Sequence, residues 1–168
     1  MTRLFRRCAP LAGIVGVAAA LAWIPAQADA PVDHAAEVTA ATEQAAHWLD
    51  ALDAGRYDEG WSSLAAVMTQ GRTVDDFKAD ISGPREELGK PISRELRHAE
   101  FSTTVRGAPT GNYVIVSYLS QFSNAPRVLE TILLTLEDRH WRIGGYSVGA
   151  PPEAQAPADK APAGAPGG

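Results

Sequence analysis

The hydrophobic period of this chain changes once, at Pro91, and that change restricts the fold more than any other feature. Before it, Val38, Ala41, Ala45, Trp48, Leu49 and Leu52 recur at helical spacing, and Gly55 stands where a helix stop belongs. Tyr57, Trp61, Leu64, Ala65 and Met68 continue the helical period and predict a second amphipathic helix. Thr73 with Asp76 reads as a capping box, with Asp in the place usual for Glu or Gln. It opens a third helix that buries Val74, Phe77 and Ile81. Gly83-Pro84 predicts a break, with one more turn from Pro84 to Leu88 ending at Gly89.

After Pro91 the period is two. Ser93 to Val105, Tyr113 to Phe122, Arg127 to Glu137 and His140 to Val148 read as four strands. The breaks between them are short, which favours an antiparallel meander. In the third strand Val128, Glu130, Ile132, Leu134 and Leu136 share one mostly apolar face. Leu129, Thr131, Leu133, Thr135 and Glu137 share the other, which either lines a concavity or meets helix side chains. The expected class is α+β: N-terminal helices packed on one face of a curved four-stranded antiparallel sheet.

The two ends read differently from the middle. Arg3, Arg6 and Arg7 precede an almost wholly apolar run from Ala9 to Ile24, and Ala26-Gln27-Ala28 supplies small residues for cleavage. That order predicts an export signal over residues 1–28. The apolar run falls short of the roughly 20 residues of a membrane span, so no stable span is expected after cleavage. Arg6-Arg7 leaves the Sec and twin-arginine routes both open. Residues 29–149 then form a single domain, and residues 150–168 a Pro/Ala/Gly-rich disordered tail. Removing the first 28 residues removes Cys8, the one cysteine, and with it disulfide and thiolate chemistry. It also leaves 12 Lys and Arg against 20 Asp and Glu, a net charge of −8. A domain this acidic is poorly matched to a phosphate backbone, so no nucleic-acid partner is expected.

Residues from Ala46 to Val148 carry a family resemblance. It rests on Ala46-His47-Trp48-Leu49, Asp53-Ala54-Gly55-Arg56-Tyr57, Trp61, Arg85, Leu88-Gly89 and Ser93-Arg94. Further on it rests on Gly107-Ala108-Pro109, Gly111-Asn112-Tyr113, Glu130-Thr131 and Trp141-Arg142-Ile143-Gly144-Gly145-Tyr146. In this order and spacing the chain resembles the bacterial domain of unknown function 4019. Phe77 and Glu87 depart from that pattern, where Trp and Pro are usual. By element order the family is similar to cystatin-like and nuclear-transport-factor-2-like cone folds, an analogy that implies a sheet able to hold a ligand and no particular activity.

Few chemistries survive inspection. Gly145-Tyr146-Ser147-Val148-Gly149 matches the esterase elbow, but that motif needs a helix after the serine and a later histidine, and a Pro-rich tail follows instead. The four histidines, His34, His47, His98 and His140, include no pair at metal-ligand spacing, and no metal or cofactor is expected. His47 and Asp50 lie on one face of the first helix and are a candidate acid–base pair, or simply part of a solvated face. Trp48, Tyr57, Trp61, Phe77, Trp141 and Tyr146 form either core or an aromatic cage. Arg85 and Arg94 flank the junction of helices and sheet, and form either a fork for an anionic ligand or an ion pair with Glu130.

The candidate pocket or anion-site residues are therefore Arg85, Arg94, Glu130, His47, Asp50, Tyr57 and Trp61. No catalytic residue stands out. The expected function is an exported, non-catalytic binding or interaction module of the bacterial envelope, periplasmic or secreted, with an envelope protein or a small ligand as partner. The alternative is a cone-fold enzyme or ligand-binding protein with a pocket on the concave face of the sheet.

Overall fold

Helix α1, Ala35–Asp53, presents its small residues Ala41 and Ala45, together with Trp48, Leu49 and Leu52, as one buried stripe. This computed structural model describes residues 33–151. The export signal read over residues 1–28 and the tail beyond residue 151 lie outside the described residues. Two alanines on the stripe let α1 approach the sheet closely, and it touches all four strands. Ala54 caps the helix, and Gly55 follows with φ of 71°, the left-handed conformation that glycine adopts without a steric penalty.

The second helix of the sequence reading is two short pieces, α2 (Tyr57–Ser62) and α3 (Ala66–Thr69). Leu64 between them forms a parallel bridge with Ile143. The Ala65 amide donates to the Ile143 carbonyl at 2.9 Å, and the Ile143 amide donates to the Ser63 carbonyl at 2.9 Å. A sheet edge with free donors and acceptors has thus won this segment from the helix. Gly60 lies against both neighbours of α2: a Cβ there would sit 3.0 Å from Leu52 and 3.4 Å from the Phe77 ring.

Helix α4, Val74–Leu88, runs on through Gly83-Pro84 where a break was expected. Its capping box is complete: the Asp76 amide donates to Thr73 Oγ1 at 3.2 Å, and the Thr73 amide donates to Asp76 Oδ2 at 2.9 Å. Proline costs an interior helix about 3 kcal/mol through its lost N–H and ring clash. Here the turn after Pro84 holds because it carries Arg85, which is ion-paired to Asp53 at the end of α1 and to Glu130 on the sheet. The helix packs chiefly on α2, with Phe77 and Trp61 ring centroids 5.9 Å apart.

The strands are β1 (Pro91–Ser102), β2 (Tyr113–Phe122), β3 (Val128–Glu137) and β4 (His140–Gly149). They form one open antiparallel sheet in the order β1-β2-β3-β4. The first strand begins two residues earlier than expected and ends at Ser102 instead of Val105. Val116 pairs with Ile132, and Ile132 with Tyr146, which places all three side chains under the helices. Val114, Val116, Ile132, Leu134 and Ile143 complete the core with the α1 stripe, each burial worth about 1.5–3 kcal/mol. A bulge at Gly144 shifts the register of β4 between Leu133 and Leu134. The Leu129, Thr131, Leu133 and Thr135 face points away from the core and is half-exposed. No helix among the described residues is long and apolar enough to cross a membrane.

Candidate functional site

Four charged side chains from four elements meet beneath the helices: Asp53 at the end of α1, Arg85 in the last turn of α4, Arg94 on β1 and Glu130 on β3. Arg94 donates from Nε to Glu130 Oε2 at 2.6 Å and from Nη1 to Asp53 Oδ2 at 2.6 Å. Arg85 donates from Nη2 to Asp53 Oδ1 and from Nη1 to Glu130 Oε1, the latter at 3.4 Å. Tyr146 donates to Glu130 Oε1 at 2.6 Å and accepts from Arg85 Nη1 at 2.9 Å. Ser120 donates to Glu130 Oε2. The Phe122 ring lies 5.8 Å from the Arg85 guanidinium carbon and 5.9 Å from that of Arg94.

Two cations and two anions make this cluster neutral, and every buried polar side-chain atom among the described residues has a hydrogen-bond partner. Glu130 is fully buried. Burial alone pushes its carboxyl up, but the hydrogen bond and charge of Arg94, with the hydroxyls of Ser120 and Tyr146, outweigh it and hold it below the ordinary glutamate value. Burial, reinforced by the Glu130 charge, pushes the Tyr146 phenol well above its usual range. A carboxylate with both oxygens engaged and its basicity lowered is a poor general base, and a phenol so shifted is a poor acid. The cluster holds elements together; it is not set up to move protons.

Beside it, between α4 and β4, lies a cleft of about 380 Å³. Its floor is Trp48, Leu64, Phe77 and Ile143, its α4 wall is Ile81, Pro84 and Leu88, and Arg85 and Tyr146 close its inner end. Trp48 spends its Nε1 hydrogen on the Gly60 carbonyl at 3.0 Å and meets Tyr146 edge-on at 5.1 Å. The mouth carries Val148, 36 % exposed, and the Arg72–Asp80 ion pair. The cleft exists because α4 leans on α2 and reaches the sheet through Arg85, leaving its own apolar side chains short of β4. Its size and mostly carbon lining are those of a small-molecule site.

The remaining candidates fall elsewhere. His47 and Asp50 are exposed on α1 and line no described cleft; His47 Nε2 sits 3.3 Å from Glu59 Oε1. Tyr57 borders a second, more open cleft of about 320 Å³ with Asp53, Arg85 and Lys90. Trp61 is half-buried against Phe77. Arg94 and Glu130 lie within the charged cluster, and of the seven candidates Arg85 alone lines the apolar cleft. His34 stacks on Phe101, His98 pairs with Glu100, and His140 bonds the Asp138 carbonyl. No group of three metal-ligating side chains occurs among the described residues.

Asp53 and Ser120 are cluster members that sequence reasoning did not single out. Each left a signal. Asp53 is a carboxylate in the last turn of a helix, where the dipole disfavours it unless a cation is near. Ser120 is polar between Tyr118 and Phe122 on the inward face of an apolar strand. Comparison with curated proteins and with solved structures finds no match. A family described as protein of unknown function, DUF4019, matches residues 44–146, a stretch that takes in the whole charged cluster and nearly all of the cleft, and the chain belongs to that family.

Proposed function

We propose that this chain is an exported, non-catalytic binding module of the bacterial envelope, with the cleft between α4 and β4 as its binding site. The observation that carries the reading is the preformed apolar cleft of about 380 Å³ closed at its inner end by Arg85 and Tyr146. Export is supported by the basic start, the apolar run to Ile24 and the Ala26-Gln27-Ala28 site. The enzymatic alternative would rely on His47 and Asp50, which lie outside the lining of the cleft, or on an anion site at Arg85, which lines it but is already paired with Asp53 and Glu130.

Native mass spectrometry of the mature chain, isolated from its own envelope fraction without detergent, tests the binding reading. A discrete small-molecule adduct is expected on the parent and not on Ile81→Trp, whose indole would fill the cleft. A parent that carries none, or a variant that retains it, contradicts the reading. Export is tested separately: N-terminal sequencing should start at Asp29, and a start at Met1 or Thr2 would sink it.

A further inference from the structure

We propose that the cleft takes an uncharged amphiphile, an apolar body of roughly a dozen non-hydrogen atoms with one hydrogen-bond acceptor set against Arg85. This rests on the binding reading above and gives it a ligand class. The size follows from about 380 Å³ of space, with roughly 30 Å³ for each water-sized group.

The charge follows from what surrounds the inner end. Arg85 is the one cation there, 8 % exposed, and its charge is already balanced by Asp53 and Glu130, just as these balance Arg94. A ligand carboxylate would be a third anion in a buried group holding two cations, and would have to compete with Asp53 and Glu130 for the same N–H groups. A ligand ammonium would face Arg85 itself. At the mouth Arg72 and Asp80 neutralise each other, so no lining residue offers an uncompensated charge. The structure thus disfavours an anion at Arg85, the ligand that a lone arginine in a pocket would suggest.

The acceptor follows from the donors. The Trp48 indole N–H is spent on the Gly60 carbonyl, and the Tyr146 hydroxyl on Glu130. Arg85 uses Nη1 for Glu130 and Tyr146 and Nη2 for Asp53, which leaves donor capacity on a guanidinium of five N–H groups. A hydroxyl, ester or amide oxygen takes such a donor without adding charge.

The test is titration of the mature chain, followed by Trp fluorescence and calorimetry, with three probes of matched length at neutral pH: 1-nonanol, nonanoate and nonylammonium. Nonanol should bind at least about tenfold more tightly than either ion, and Ile81→Trp should abolish its binding. Should Ile81→Trp not fold, Val148→Trp at the mouth takes its place with the same expectation. Nonanoate or nonylammonium binding as tightly as nonanol, and lost in the filled variant, would overturn the ligand class and leave the binding reading standing. Failure of all three probes, or nonanol binding that survives filling, would overturn both.

Discussion

Helices α1 and α4 lie on the same side of the sheet and differ in what chiefly attaches them to it, although Asp53 at the end of α1 also pairs with Arg94 of β1. The first meets it through carbon: Ala41, Ala45, Trp48, Leu49 and Leu52 are all buried, and small residues at two of these positions bring the backbones close. The other rests on α2 and reaches the strands through Arg85, with Ile81 and Leu88 only half-buried over the cleft. Close packing leaves no room, whereas a long charged side chain acts as a strut that fixes a helix at a distance. A neutral ionic cluster thus holds α4 and leaves a cleft that carbon packing would have closed.

Substitutions sharpen the contrast, the largest effect falling on the carbon-packed side. Trp48→Ala should cost about 3–5 kcal/mol by chemical denaturation, since it removes a fully buried indole. Glu130→Gln should cost about 3 kcal/mol at neutral pH, because it leaves two arginines facing Asp53 alone. Its pH dependence has a definite sign. The Glu130 carboxyl titrates lower in the folded chain than in the unfolded one, so its contribution is complete above about pH 4.3 and is lost as pH falls through the folded value. The gap between parent and Glu130→Gln should therefore narrow in denaturation curves taken below about pH 4. Ile81→Ala should cost only about 1 kcal/mol, as a half-buried residue on a cleft wall. His47→Ala should change stability by no more than about 0.5 kcal/mol, since its ring is exposed and its contact with Glu59 lies at the surface.

The order of helices and strands was legible because the period of the apolar residues changes cleanly at Pro91 and glycines mark the stops. Two details were not. Leu64 and Ala65 keep the helical period, yet the backbones of Ser63 and Ala65, on either side of Leu64, bond the edge of β4, a demand set by a strand some 80 residues further on. Gly83-Pro84 carries a strong local stop signal, overridden by Arg85, whose anchors are Asp53 and Glu130 in other elements. Within the site, Arg85 and Arg94 were legible because they flank the junction of helices and sheet, and Glu130 as a charge on a mostly apolar strand face. Asp53 was read only as part of the family pattern at a helix end, although a carboxylate in a last turn itself calls for a nearby cation. The cleft left no trace in any single segment, since it is the gap between a helix from one half of the chain and an edge strand from the other.

The most direct measurement is a double-mutant cycle on Arg85→Met and Glu130→Met, followed by denaturation at neutral pH. Each single change unbalances the cluster and should cost about 3–5 kcal/mol. Together they leave Arg94 paired with Asp53 at 2.6 Å, a neutral pair, so the double variant should be more stable than either single one, with a coupling of at least about 2 kcal/mol. Costs that simply add would contradict the account, because Arg85 would then stabilise α4 independently of the charge balance beneath it.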